Sequence, residues 1–193
     1  MKYLKLFEEV SLSEKSLICS LCEQYVIMNY NINKDGSIDV DKNVSLWFRR
    51  LKKIPLKFNK INGRFDCSNN RLTTLEGSPI EVNGNFLCYN NKLTSFKFAP
   101  KIIRGEFNCN CNNIKSFEYF PNFVKEDFEC YANPIWRIWK LFEDTTKIEL
   151  LNDFDIFRDE ETEEPVIIMD RLNDFLLTIG KDPVKNIDKY KNI

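Results

Sequence analysis

Apolar and amide positions recur along the chain at a fixed interval of 21 residues. The recurring phenylalanines are Phe65, Phe86, Phe107 and Phe128. The cysteines and asparagines that follow them are Cys67, Cys88, Cys109 and Cys130, then Asn70, Asn91, Asn112 and Asn133. A non-repetitive globular domain gives no reason for such spacing, whereas each turn of a solenoid must present the same face to the next turn. The pattern therefore predicts a repeat solenoid.

The spacing within one repeat predicts a short strand followed by a turn. Phe65 and Cys67 are two residues apart, so they point to the same side of a strand. Strands of successive coils would stack about 4.8 Å apart as a parallel sheet, and Asn70 at the turn can bond the backbone of a neighbouring coil. A degenerate first coil carries Arg49 at the asparagine position, as expected of a terminal repeat. We expect about five coils over residues 42–134.

This repeat resembles the leucine-rich repeat family, whose consensus runs Leu-x-x-Leu-x-Leu-x-x-Asn/Cys-x-Leu. Phe65 and Cys67 match the two inward strand positions, Asn70 the ladder position and Leu72 the next core position. The leading leucine is missing, and the apolar positions one place earlier are Ile61, Val82, Ile103 and Val124. The amino-acid sequence of residues 67–79 also resembles that of uncharacterised short leucine-rich repeat proteins of tailed bacteriophages. The resemblance implies an α/β repeat solenoid and a phage protein acting on a host factor, and it implies no activity.

Before the repeats, residues 1–41 predict a cap made of a helix and a hairpin. Ser11 and Glu14 fit a capping box at the start of the helix. One helical face then carries Leu17, Leu21, Cys22 and Tyr25. An Asp-Gly pair at 35–36, flanked by alternating extended residues, is typical of a β-hairpin.

After the repeats, residues 135–180 predict a second helical cap. Helices are expected at 135–142, at 148–157 and from Pro165 onward, with Gly180 placed to end the last one. Residues 181–193 predict a tail. Caps matter because terminal coils have no neighbouring repeat to cover their core.

Composition supports a packed fold, and the charge is unevenly distributed. Hydrophobic residues make up 43% of the 193-residue chain and charged residues 30%, which argues against wholesale disorder. The net charge of -1 argues against a protein that binds nucleic acid through its overall charge. Residues 42–64 nevertheless carry eight bases and no acid, whereas residues 141–165 carry ten acids against two bases. Solvated, oppositely charged ends explain both segments.

The residue types argue against an enzyme or a metalloprotein. The chain has no histidine, which excludes histidine acid–base catalysis and histidine metal ligation. No phosphate-binding glycine loop occurs among the six glycines. Cys19 and Cys22 lack a second ligand pair for zinc and are interpreted as core residues of a helix. We expect no catalysis, no cofactor and no metal.

Residues 31–39 imitate an EF-hand calcium loop, but the match is incomplete. The twelfth position is Lys42, where a bidentate glutamate is required. A hairpin explains the same residues.

The expected location is the cytoplasm, or the host cytoplasm for a viral protein. No stretch reaches the length of about 20 apolar residues that spans a bilayer, and no secretory signal is visible. The cysteines would then stay reduced. Cys111, which replaces the usual first asparagine of its turn, is expected to be the most reactive thiol.

The strand residues that alternate with the inward Phe and Cys would form the concave face of the solenoid. Apolar or aromatic side chains on this face are typical of interaction hot spots. The predicted partner-binding residues are Trp47, Arg64, Asp66, Leu87, Tyr89, Asn108, Glu129 and Tyr131. The leading hypothesis is a non-enzymatic module that binds a protein partner. Alternatives are nucleic-acid binding through residues 42–64 beside Trp47, and a structural or virion component.

Overall fold

The computed structural model describes residues 10–157, 167–185 and 187. Within these residues, eleven short strands stack into two sheets and four α-helices lie before and after them. The first sheet contains, in spatial order, β1 (Tyr30–Ile32), β2 (Ile38–Val40), β4 (Phe58–Ile61), β6 (Glu81–Val82), β8 (Ile102–Ile103) and β10 (Phe123–Val124). The second sheet contains β3 (Val44–Ser45), β5 (Phe65–Asp66), β7 (Phe86–Leu87), β9 (Phe107–Asn108) and β11 (Phe128–Glu129).

The strands of the second sheet pair in a register set by the sequence repeat. Phe65 lies opposite Phe86, and Phe86 lies opposite Phe107, each 21 residues further on. All strand pairs are parallel except the antiparallel pair of β1 and β2. The chain is therefore a parallel-sheet β-solenoid of about four turns, and the repeat prediction is confirmed at this level.

The first sheet is a feature that the sequence pattern did not reveal. Ile61, Val82 and Ile103 stand one place away from the consensus position, and each lies in a strand of this sheet. All three are fully buried. Because a buried backbone needs hydrogen-bond partners, the segment that delivers each of these side chains to the core pairs with the equivalent segment of the next coil. Each of these coils thus contributes two strands.

Aromatic rings of successive coils line the core. The ring centroids of Phe65 and Phe86 are 5.7 Å apart, those of Phe86 and Phe107 are 5.6 Å apart, and those of Phe107 and Phe128 are 5.3 Å apart. These distances lie in the range preferred by interacting aromatic pairs. The 21-residue register therefore places one phenylalanine on the next from β5 to β11, and Val44 takes this position in β3.

Two glycines allow successive coils to approach closely. A Cβ atom at Gly105 would lie 2.7 Å from the carbonyl carbon of Gly84, and one at Gly84 would lie 2.9 Å from that of Gly63. Real Cβ atoms do not come this near to a backbone. The absence of a side chain at these positions is thus a requirement of the stacking.

Helix α1 (Leu12–Gln24) begins with the predicted capping box. The Ser11 Oγ accepts from the Glu14 N–H at 3.2 Å, and the Glu14 carboxylate accepts from the Ser11 N–H at 2.9 Å. Cys22 is buried as expected, but Leu17 faces solvent, so its assignment to the apolar face was wrong. The first nine residues lie outside the described part of the chain.

The predicted hairpin is confirmed as β1 and β2, and it is continuous with the solenoid. The Asn33 N–H donates to the Ser37 carbonyl at 2.8 Å, and Gly36 adopts a φ of 75°, a value that glycine tolerates without strain. Strand β2 also pairs in parallel with β4. The hairpin therefore forms the end of the first sheet.

Among the described residues, three α-helices follow the last strand, α2 (Trp136–Phe142), α3 (Ile148–Asp153) and α4 (Met169–Thr178), and a short 3₁₀ helix (Thr145–Lys147) lies between the first two. The Trp139 ring contacts that of Phe128 at 4.8 Å, so α2 packs against the core at β11. The second helix is shorter than expected, and the predicted start of the third at Pro165 lies outside the described residues. Gly180 has a φ of 74° just after α4. No helix in the described ranges is both long enough and apolar enough to cross a membrane.

Candidate partner-binding face

The side chains that alternate with the inward Phe and Cys of the second sheet form three rows, which we call the outer face. The first row is Asn43, Arg64, Asn85, Glu106 and Asp127; the second is Ser45, Asp66, Leu87, Asn108 and Glu129; the third is Trp47, Ser68, Tyr89, Asn110 and Tyr131. Backbone hydrogen bonds hold the rows in register, for example from Cys67 N–H to Leu87 C=O at 2.8 Å and from Cys88 N–H to Asn108 C=O at 2.9 Å.

The register brings four of the predicted binding residues together as neighbours. They are consecutive members of the second row: Asp66, Leu87, Asn108 and Glu129. The other four are spread over the first and third rows. Arg64 is exposed in the first row, and Tyr89 is half-buried in the middle of the third. Trp47 and Tyr131 occupy opposite ends of the third row, so they cannot contact one short ligand together.

Asp66 is less accessible than strand alternation predicted. Only 7% of it is exposed, and Ser68 beside it is fully buried. The Ser68 hydroxyl and backbone N–H both donate to Asp66 Oδ1. The two side chains are thus hydrogen-bonded to each other, and little of Asp66 is left on the accessible surface.

Hydrogen bonds fix the carboxylates at the β11 end of the outer face. The Asn108 side-chain amide donates to Glu129 Oε2 at 2.7 Å and to Glu106 Oε1 at 2.9 Å. The Asn110 amide donates to the same Glu129 oxygen at 2.8 Å. Neither carboxylate has a cationic partner within the described ranges. This end therefore presents preorganised negative charge.

Charge changes sign along the outer face. In the first row, the positive charge of Arg64 lies near the start of the solenoid, and the negative charges of Glu106 and Asp127 lie toward its end. A partner with the opposite polarity would be oriented by this arrangement.

Exposed aromatic side chains mark both ends of the third row. Trp47 is 51% exposed, and its ring lies 5.4 Å from that of Phe48, which is 61% exposed. At the other end Tyr131 is 57% exposed and meets Trp136 edge-on at 5.3 Å. Lys140 Nζ lies 4.7 Å from the Trp136 ring centroid, a cation–π contact.

Phe48 is an exposed aromatic that is not among the predicted binding residues. The residue has a φ of 54° and aligns with the turn residues Asn69 and Asn90, which have φ values of 55° and 52°. The 21-residue alignment could have predicted this exposure, because Phe48 is an aromatic residue at a turn position that lies outside the core pattern.

The basic segment 42–64 lies mainly outside the three rows. Lys57 pairs with Asp35 at 2.6 Å, and Lys60 pairs with Glu81 at 3.3 Å. Six further bases are exposed and have no ion-pair partner among the described residues: Lys42, Arg49, Arg50, Lys52, Lys53 and Arg64.

The loop that imitates an EF-hand, residues 31–39, and the buried Cys22 have structural roles. Asp35 accepts hydrogen bonds from Lys57 and Ser37, which hold the pKa of its carboxyl well below the usual range. Burial raises the pKa of the Cys22 thiol to about 11. Residues 10–157, 167–185 and 187 contain no cluster of three or more Cys, Asp or Glu side chains able to hold a metal ion. Cys111 is exposed, as expected from its turn position.

Comparison with models of protein families, with curated proteins and with solved structures finds no match for this chain.

Proposed function

We propose that the protein is a non-enzymatic interaction module that binds a protein partner through the outer face. The observation that supports the proposal most directly is the register of the second sheet, which aligns Asp66, Leu87, Asn108 and Glu129 in one row on hydrogen-bonded parallel strands. A rigid sheet with preset side chains loses little conformational freedom on binding, and this favours affinity.

The proposal includes the finer description of the fold. The solenoid would be a leucine-rich repeat of five coils with helical caps, and the outer face would be its concave surface. In this description Tyr89 and Tyr131 act as aromatic anchors, and Arg64 and Glu129 orient the partner by charge. For a phage protein, the partner would be a host factor in the host cytoplasm.

The decisive test is affinity capture from a lysate of the presumed host, with nuclease added. We expect the wild type to retain a protein that the Tyr89→Ala/Tyr131→Ala variant loses. The matched control is Tyr119→Ala/Phe123→Ala, which removes two exposed aromatics that lie off the outer face. Loss of the captured protein from both variants, or from neither, would contradict the proposal.

A second candidate function is nucleic-acid binding by the basic segment. Its support is the group of exposed, unpaired bases Arg49, Lys52 and Lys53 next to the exposed Trp47–Phe48 pair. Such binding would weaken steeply with salt, because each phosphate contact releases counterions. We would measure single-stranded RNA and DNA binding across salt concentrations for the wild type and for Arg49→Gln/Lys52→Gln. A salt-independent signal, or one unchanged in the variant, excludes this candidate.

A further inference from the structure

Strand β11 is the edge strand of the second sheet at the end of the solenoid, opposite the edge strand β3. In the preceding coil, three backbone N–H groups face this strand and donate to its carbonyl oxygens. The bonds are Phe107 to Asp127 at 2.9 Å, Cys109 to Glu129 at 2.9 Å and Cys111 to Tyr131 at 2.8 Å. The same three positions donate to the next coil at each earlier step of the sheet.

The equivalent N–H groups of the last coil belong to Phe128, Cys130 and Ala132. These N–H groups point away from β9. In a parallel strand, alternate residues bond to the same neighbour, and in β11 it is Glu129 that faces β9. None of the three has an acceptor within the described part of the chain. The edge therefore presents a row of three free donors spaced for one more parallel strand.

A cavity lies beside these donors. Its volume is about 330 Å³, and its walls include Phe128, Cys130, Trp136 and Trp139 together with Glu129 and Glu143. Helix α2 therefore leaves space next to β11. The aromatic walls suit an apolar side chain, and Glu129 and Glu143 line the same cavity.

Three carboxylates surround the edge, and the nearby cation of Lys140 lies against the Trp136 ring. Glu129 and Glu143 are exposed, as is Asp127 at the start of β11, and none has an ion pair within the described residues. In a parallel strand added to β11, the outward side chains would lie beside Asp127 and Glu129, and the inward ones would enter the cavity. Basic side chains outward and apolar side chains inward complement these surroundings.

We propose that β11 is a docking edge for an extended segment of a protein partner, in which apolar side chains alternate with lysine or arginine. The segment adds a strand to the second sheet, accepts hydrogen bonds from Phe128, Cys130 and Ala132, and pairs its cations with Asp127 and Glu129. The inference rests on the proposed function and deepens it, since it gives the conformation and charge of the bound segment at the β11 end of the outer face.

The test uses the full chain and a seven-residue peptide of alternating lysine and valine with blocked ends. Residue-resolved amide hydrogen exchange reports on the three donors directly. In the free protein we expect Phe128, Cys130 and Ala132 to exchange at least tenfold faster than Phe107 and Cys109. Saturating peptide should slow the three edge amides by tenfold or more and leave amides in α1 unchanged.

Two matched reagents test the charge. A peptide with glutamate in place of lysine should bind at least tenfold more weakly. The variant Glu129→Gln keeps an oxygen for Asn108 and Asn110 while losing its charge, and we expect it to bind the lysine peptide about threefold to tenfold more weakly. Equal binding of both peptides would overturn the requirement for basic residues.

Other outcomes overturn the docking edge itself. The inference fails if the edge amides are already protected in the free protein, or if the peptide does not slow them. Edge protection that appears with rising protein concentration, together with dimers in sedimentation, would assign the edge to a second copy of the chain. If the peptide fails but the Tyr89- and Tyr131-dependent capture succeeds, only the edge inference is lost. If the peptide binds and the capture fails, the proposed function is lost.

Discussion

The side-chain amide of Asn91 donates a hydrogen bond to the carbonyl oxygen of Cys67, in the preceding coil, over 3.0 Å. The same amide donates to the Cys88 carbonyl at 3.1 Å, and its oxygen accepts from the Leu72 N–H at 3.0 Å. One side chain thus satisfies backbone groups of two coils. Asn70, Asn112 and Asn133 make the same set of donor contacts.

Replacing Asn91 with alanine should be strongly destabilising. The substitution leaves the Cys67 and Cys88 carbonyls and the Leu72 N–H without their partner, so we expect a loss of about 2–4 kcal/mol in the free energy of unfolding. The measurement is urea denaturation followed by circular dichroism. The matched control is Asn113→Ala, an exposed asparagine for which we expect a change within about 0.5 kcal/mol. Similar losses in both variants would remove the special role of the ladder position.

Replacing a buried phenylalanine should lower the free energy of unfolding more than replacing an exposed one. Phe107 is fully buried between the rings of Phe86 and Phe128, whereas Phe123 is 46% exposed. Phe107→Ala should therefore cost about 3–5 kcal/mol, and Phe123→Ala less than about half of that. Thermal or urea unfolding of both variants compares them directly. A Phe123 variant as unstable as the Phe107 variant would contradict the stacking of rings in the core.

The Asp35–Lys57 pair should make stability depend on pH in the acid range. Lys57 first, and then Ser37, lowers the pKa of the Asp35 carboxyl in the folded state, so the unfolded state binds more protons. The contribution is present above the unfolded pKa of about 3.8 and is lost as the pH falls toward the folded value. Both side chains are more than half exposed, so solvent screening keeps it below about 1 kcal/mol.

The check is to unfold the wild type and Asp35→Asn in urea from pH 7 down to pH 2.5. The variant should be less stable at pH 7, and the difference should shrink below about pH 4, because the Asp35 carboxyl becomes protonated in the unfolded chain while it stays ionised in the folded one. If the difference in unfolding free energy between the two proteins were constant over this pH range, the charge of Asp35 would contribute nothing to stability.

Thiol reactivity should separate Cys111 from the repeat cysteines. Burial raises the pKa of the Cys67, Cys88, Cys109 and Cys130 thiols, so at neutral pH they carry little thiolate and are shielded from reagents. Alkylation followed by mass spectrometry should label Cys111 first and the four buried cysteines only on unfolding. Cys111→Asn should remove the fast phase. Labelling of the buried cysteines at the rate of Cys111 would contradict the closed core.

The local elements at the start of the chain were predictable because their signals are local. The capping box of Ser11 and Glu14 and the hairpin turn at Gly36 depend on residues within a few positions of each other. The repeat was predictable for a different reason: its period places Phe65 over Phe86 whatever the details of the connecting turn. The exposure of Leu17 was not predictable from helical spacing, which shows a shared face but not how far a neighbouring element covers it.

By itself, the sequence determined the 21-residue step, the inward Phe and Cys positions and the asparagine at each turn, because identical coils can stack only when these positions repeat. Only the tertiary structure decided that Ile61 and Val82 lie in strands of the first sheet, that Asp66 is buried, and that the N–H groups of Phe128, Cys130 and Ala132 have no acceptor among the described residues. These features depend on which backbone groups and side chains meet across coils and on where the stack ends. A pattern of residue types along one chain does not contain that information, since burial and pairing are set by neighbours distant in sequence.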